Sequence, residues 1–249
     1  MKHYQFIIFY IFLNLIIYAF QGTIWMYIFC FIFFSAVVIS GSFDITLGYF
    51  VNSITHKRTK IKEVALTFDD GPTQFTPKFL DLLKENNIKA TFFCIGKQIE
   101  KHPETFRRII DEGHSIGNHT YSHSNKIGFL STLKMIEEIE KCDKAISEFG
   151  NLTTDLYRPP FGVTNPNIAK AIKKTQKKSI GWNVRSLDTV IADEKKILRR
   201  VTKDLKKGSI ILLHDTSEKT YNVLVELLLF LEREKYSTFT VGSLIKFKK

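Results

Sequence analysis

The sequence has few cysteines. Only Cys30, Cys94 and Cys142 occur, an odd number without zinc-knuckle spacing, which argues against a disulfide framework. Cys94 sits in an apolar, strand-like run, where a thiol behaves as a small core residue. Charge is absent altogether from Tyr4 to Phe43. A cleaved signal peptide has an apolar core of about 7–15 residues, far shorter than this run. Nucleic-acid motifs are missing too, so the surplus of 36 basic over 25 acidic residues, a net +11, does not point to a nucleic-acid partner. The surplus comes largely from lysines on helix surfaces, such as Lys173, Lys174, Lys177 and Lys178. Such lysines form a solvated face, or draw the chain to anionic lipid or an anionic polymer.

What the uncharged run contains is Phe, Ile and Leu. As helix, its roughly 40 residues would reach about 60 Å, two crossings of a bilayer core about 30 Å thick. Gln21-Gly22-Thr23 interrupts it near the middle. The reading is a transmembrane hairpin, Gln5–Phe20 and Ile24–Ser40, retained as an anchor in the lipid bilayer. A hairpin returns the chain to its starting side, and Lys2 with Lys57, Arg58, Lys60 and Lys62 would favour the cytoplasm by the positive-inside rule.

The chain after about residue 60 is long enough for one domain with a sizeable core. It is organised around Thr67-Phe68-Asp69-Asp70-Gly71-Pro72. Val64-Ala65-Leu66 reads as a buried strand, and Gly71-Pro72 stops it. Helical and strand-like segments then alternate. Helices are expected over Pro77–Asn86, Gln98–Asp111 with a restart at Pro103, Ser131–Glu148 closed by Gly150, Pro166–Thr175, Glu194–Lys206 and Tyr221–Glu234. Strands are expected over Lys89–Ile95, Ser115–Asn118, Asp155–Tyr157, Ser179–Val184, Ser209–Leu213 and Thr238–Val241. About seven such alternations argue for parallel strands, as a barrel or a doubly wound sheet.

The polar candidates follow strand ends. Asp69 and Asp70, His119 and His123, Arg158, Asp188 and His214 each lie just past a predicted strand, on the face where barrels hold their sites. Two adjacent carboxylates make either an ordinary acidic turn or a pocket needing a cation or proton. His119 and His123, four apart, share a face if they lie on a helical turn. With Asp70 they would make a two-histidine, one-carboxylate cation site, leaving Asp69 as a base; chance histidines are the alternative. His214 can serve as a general acid, oriented by Asp188, or be a structural histidine. Arg158 can pair with Asp69, or form a surface ion pair.

Taken together these residues resemble the polysaccharide deacetylases of carbohydrate esterase family 4. Thr67–Pro72, His119-Thr-Tyr-Ser-His123, Arg158-Pro-Pro-Phe-Gly162, Trp182-Asn-Val-Arg-Ser-Leu-Asp188 and Leu212-Leu-His-Asp215 match that family's five motifs in order. The resemblance implies a distorted (β/α) barrel of about seven parallel strands over 63–249, joined by a 44–62 linker to the 1–43 anchor. It implies removal of N-acetyl groups from amino sugars of an envelope glycan, such as peptidoglycan or a chitin-like oligosaccharide, on the outer side of the cytoplasmic membrane. Asp70, His119 and His123 would hold one divalent ion, Zn²⁺ foremost. Asp69 would be the base, His214 the acid, Arg158 and Asp188 their braces. Phe161, Leu212 and Trp182 would meet the substrate. Phe161 stands where the family often has Tyr, and Thr189 where a Trp frequently follows the aspartate. A lipid-linked amino sugar, or glycan binding without catalysis, are the other readings.

Overall fold

The computed structural model describes residues 2–246. Two helices open the chain, α1 (Lys2–Ala19) and α2 (Ile24–Phe43), each slightly longer than expected. Gln21, at φ 50°, sits in the turn between them. Both are long and apolar enough to cross a membrane. Only Ile17, Cys30 and Gly41 are buried in them, and most of their large apolar side chains are exposed.

The α/β part runs β1 (Glu63–Asp69), α3 (Thr76–Glu85), β2 (Thr91–Cys94), α4 (Gly96–Lys101), α5 (Pro103–Asp111) and β3 (Ser115–Asn118). Next come α6 (Thr132–Gly150), β4 (Leu156–Tyr157), α7 (Pro166–Lys174), β5 (Lys178–Ser179) and β6 (Val184–Arg185). The chain ends with α8 (Glu194–Lys203), β7 (Ile210–His214), α9 (Glu218–Arg233), β8 (Ser237–Thr238) and α10 (Val241–Lys246). All pairings between these strands are parallel, in the order β5-β4-β3-β2-β1-β7-β6, with β8 beside the start of β1.

Alternation along β1 assigns the sheet's two faces. Val64, Leu66 and Phe68 join Phe92, Ile211 and Leu213 in the core under the helices. Ala65 joins Phe93, Leu156, Ile180, Trp182, Ile210 and Leu212 in a second cluster on the other face. Strands buried on both faces are what a helix-covered parallel sheet requires. Period two carries the inner face through Thr67 to Asp69.

β5 and β6 are opposite edges of this sheet, yet only Ile180–Asn183 separates them. The five steps from Ser179 to Val184 reach at most about 18 Å, so the sheet must curl until its edges face each other. This is the expected distorted barrel. One continuous strand over Ser179–Val184 is not formed, because a distant side chain takes its carbonyls. Ile180 N–H still continues the ladder to Tyr157 O (2.8 Å), but the carbonyls of Ile180 and Gly181 accept from Arg158 Nε (3.2 Å) and Nη2 (3.0 Å) instead of from a neighbouring strand. Three smaller expectations also shift. Val241 starts a helix rather than ending a strand, its N–H donating to Thr91 Oγ1 at 2.9 Å. The left-handed cap of α6 is Asn151, at φ 50°, not Gly150. Helix α8 stops at Lys203, three residues early.

The hairpin is docked, not merely tethered. Phe6, Val37 and Val38 pack on a cluster containing Tyr49, Phe50, Val51, Ile127, Met135 and Tyr157. Thr164 donates from N to Ser42 O (2.9 Å) and from Oγ1 to Gly41 O (3.3 Å). A Cβ at Gly41 would lie 2.5 Å from the Tyr49 ring, so only glycine allows this approach. Residues 44–62 also lie on the barrel, with bridges from Ile54 to Ile180 and His56 to Ser209.

Candidate active site

Asp69 ends β1 with its side chain buried on the inner face, where its Cα pairs with Phe93 on one side and His214 on the other. Arg158, fully buried, donates from Nη1 to Asp69 Oδ1 (2.7 Å) and to Thr67 Oγ1 (2.8 Å). Its guanidinium lies 4.0 Å over the Phe93 ring. Burial lowers the Arg158 pKa, and the charge of Asp69 opposes that. The surface ion pair is therefore excluded for Arg158.

Extended backbone would point Asp70 away from Asp69. Instead Asp70 takes φ 73°, which turns the chain at the strand end. Its Oδ1 comes within 3.5 Å of His119 Nε2 and 3.4 Å of His123 Nε2. Asp69 Oδ2 is 3.7 Å from the same His119 nitrogen. Burial pushes the Asp70 carboxyl up, but the hydrogen bond and charge of His119, then the charges of His123 and His214, outweigh it and hold it well below the usual carboxylate range.

Of the loop and the helical turn that the sequence left open, the two histidines take the loop. They lie in a loop after β3 with Thr120 at φ 65° and His123 at φ 48°. Non-glycine residues in the left-handed region cost of order 1–3 kcal/mol each and survive where surroundings impose them. The imposing contacts are visible. Asn118 Oδ1 accepts from Thr120 N (2.9 Å), and Glu138 Oε2 accepts from Ser122 N (2.8 Å) and Oγ (2.9 Å). His119 Nδ1 donates to Arg158 O at 2.8 Å, which turns Nε2 toward Asp70. Burial, helped by His119, lowers the His123 pKa to about 4 and keeps that ring neutral.

His214 closes β7. Its Nδ1 donates to Asp188 Oδ1 (2.8 Å), and its backbone N–H to Asp188 Oδ2 (2.8 Å). Asp188 also accepts from Ser186 Oγ (2.7 Å) and Thr220 Oγ1 (3.0 Å). Burial lowers the His214 pKa, but the Asp188 hydrogen bond and charge, then Asp69 and Asp70, raise it overall to about 9. His214 Nε2 lies 3.9 Å from Asp70 Oδ2, so this imidazole faces the same centre.

The remaining candidates frame it. Phe161, at φ 59°, sets its ring 4.6 Å from that of His123. Leu212 and Trp182 are buried in the inner cluster. At Gly162, φ 71°, a Cβ would run into the Trp182 ring at 2.6 Å, so the turn after Phe161 needs glycine there.

A divalent cation fits the donors of Asp70, His119 and His123. Their ligand atoms lie within 4.8 Å of one another. Asp70 Oδ1 is buried without a hydrogen-bond partner. An orphaned carboxylate oxygen facing two imidazole nitrogens is costly unless a cation takes it. The loop's braces, Glu138 above all, escaped the sequence reading, because an exposed-looking helix glutamate carries no signal of what it holds. Glu138→Ala is expected to weaken Zn²⁺ binding about 10–100-fold, read by isothermal titration. Unaltered affinity would show that the loop holds its shape without it.

Fold and site together define a curled parallel α/β barrel with a His-His-Asp cluster between a carboxylate and an imidazole at the strand ends. A family model described as polysaccharide deacetylase matches residues 56–180. The chain belongs to the polysaccharide deacetylase family. It is 39% identical over 155 residues to a peptidoglycan-N-acetylglucosamine deacetylase of Bacillus cereus, covering 62% of this chain and 56% of that one. A second such Bacillus cereus protein is 33% identical over 196 residues, covering 75% and 90%. The chain thus spans about half the length of the first relative and most of the second. The crystal structure of Bc1960 peptidoglycan N-acetylglucosamine deacetylase superposes with a TM-score of 0.73 at 32% identity, covering 77% of this chain and 92% of that one.

Proposed function

We propose that the chain is a metal-dependent deacetylase acting on N-acetylated amino sugars of an envelope glycan. The observation carrying this reading is the meeting of Asp70, His119 and His123 within 4.8 Å, with Asp69 and His214 beside them on Cα-paired positions of β1 and β7. Those three ligands would hold one divalent ion, with zinc favoured by the two imidazoles. When bound, it acidifies a water and polarises the amide carbonyl. Asp69 accepts the water's proton through Oδ2, while Arg158 holds Oδ1. As the water oxygen joins the acetyl carbon, the backbone N–H of Phe161 would meet the developing oxyanion. His214 then gives its proton to the nitrogen as the C–N bond breaks, releasing acetate and the free amine. Asp188 keeps the imidazole oriented, and Leu212 with Trp182 would wall the acetyl methyl. The test is acetate release by the full chain from N-acetylglucosamine oligomers and peptidoglycan, with Zn²⁺ and after chelation. Metal-independent release, or none with Zn²⁺ bound, would refute the proposal.

The outward-facing apolar surface of α1 and α2 supports a bilayer anchor over 1–43, because apolar area on that scale is not left in water. The catalytic domain, over 63–249, is placed on the exterior side of the cytoplasmic membrane, where such glycans lie. Protease added to intact spheroplasts is expected to cut it. Protection, with a periplasmic control digested, would remove that placement.

A further inference from the structure

A second depression adjoins the site. A cavity of about 640 Å³ opens beside Phe161, walled by Phe43, Ile127, Phe129, Val163 and Arg185. Phe129 is 91% exposed and Phe161 45%, so large apolar groups face its open side. Phe43 is the last residue of α2, and the cavity therefore runs straight into the apolar surface of the hairpin. The bonds from Thr164 to Gly41 and Ser42 make that helix end a fixed wall. At the other end the Phe161 ring packs at 57° against that of His123, itself one of the cation ligands. Arg185 enters none of the ion pairs among the described residues. Arg185 belongs to the cavity wall, and its guanidinium lies 5.6 Å from the Trp182 ring behind it.

An apolar trough that begins at a reactive centre, carries an unpaired guanidinium and ends on an apolar helix is the shape of an amphiphile's site. The guanidinium suits a phosphate, and the trough suits hydrocarbon. A neutral soluble glycan can rest its C–H faces on such rings, but it brings no charge for the guanidinium and no hydrocarbon to meet the helix end. We infer that the substrate is an N-acetylated amino sugar joined through phosphate to a long hydrocarbon chain. The sugar sits at the cation ligands, the phosphate at Arg185, and the hydrocarbon along Phe129 and Phe43 toward the bilayer. This rests on the deacetylase reading above and specifies its substrate.

The test uses the full chain in phospholipid nanodiscs with Zn²⁺. Acetate release is measured from polyprenyl-phosphate-linked N-acetylglucosamine and, separately, from soluble N-acetylglucosamine tetramer. For the unaltered chain, kcat/KM on the lipid-linked substrate should exceed that on the tetramer at least tenfold. The ratio should fall about tenfold in Arg185→Gln and in Phe129→Asp, mostly through KM. Zn²⁺ content and melting temperature identify any variant that misfolds, and Arg185→Lys should recover part of the ratio. A ratio at or below one, or a ratio that neither variant moves, overturns this inference and leaves the deacetylase reading standing. Silence on both substrates with Zn²⁺ bound overturns the deacetylase reading itself.

Discussion

Asp69→Asn is expected to cut kcat for acetate release by about 10³-fold while the chain keeps its full complement of divalent ion. The size follows from the 10²–10⁴-fold that a positioned general base contributes. The selectivity follows from geometry. The three ligand atoms belong to Asp70, His119 and His123, whereas Asp69 stands 3.7 Å from one of them and is committed to Arg158 at 2.7 Å. An asparagine oxygen can still accept from Arg158, so the turn survives. The lost charge leaves a buried guanidinium without its counter-ion, a cost of about 3–5 kcal/mol for pairs of this kind. Melting temperature should therefore fall as well, and assays belong well below it. Turnover and metal content are read on one preparation. Loss of both together would mean that Asp69 holds the ion; retention of turnover would remove it from the chemistry.

Asp188→Asn is the second large lesion, and its signature is in pH. With the carboxylate gone, burial acts on His214 against Asp69 and Asp70 alone, and its pKa drops from about 9 toward the ordinary 6.5. At pH 8 the protonated fraction would fall from about nine-tenths to a few hundredths. Misorientation of the ring adds to this, for a total loss in kcat of about 10²–10⁴-fold. A cation beside Asp70 disfavours the imidazolium, so in the unaltered enzyme the alkaline limb of kcat lies at or below about 9. In the variant it should move down toward 6.5. Stability moves with the same proton. The folded value lies above the unfolded one, so the contribution, about 3 kcal/mol, is fully present below pH 6.5 and is lost as pH rises through about 9. The melting temperature of the metal-free chain should decline across that window, and the variant's should stay flatter. An alkaline limb that does not move in the variant would show that His214 is not the acid.

Much of this was legible in the sequence because strand ends announce themselves. Val64-Ala65-Leu66 before two aspartates, and Ile210 to Leu213 before His214, are apolar runs that stop at polar residues. Position on the barrel's face follows from that alone. The hidden part depends on contacts between distant segments. Nothing local tells that the strand stops after residue 180, because the arginine that claims its carbonyl is 22 residues away. The left-handed backbone at Asp70, Thr120, His123 and Phe161 is equally silent, since each is an ordinary L-residue whose conformation is imposed by partners such as Asn118 and Glu138. Spacing put His119 and His123 together without saying how. A helical turn and a braced loop both close that distance.

The place of β1 in the sheet also governs how the chain is made. One neighbour, β2, follows within a few tens of residues, but the other is β7, and the bond from Thr67 Oγ1 to Ile211 O spans 144 positions. At roughly 5–20 residues per second of synthesis, the central strand waits about 7–30 s with one row of backbone donors and acceptors bare. Such an open edge is a template for wrong pairing. The nascent chain is thus most vulnerable after its hairpin has emerged and before its last third has, and a ribosome-stalled fragment ending near residue 180 should need a chaperone to stay soluble.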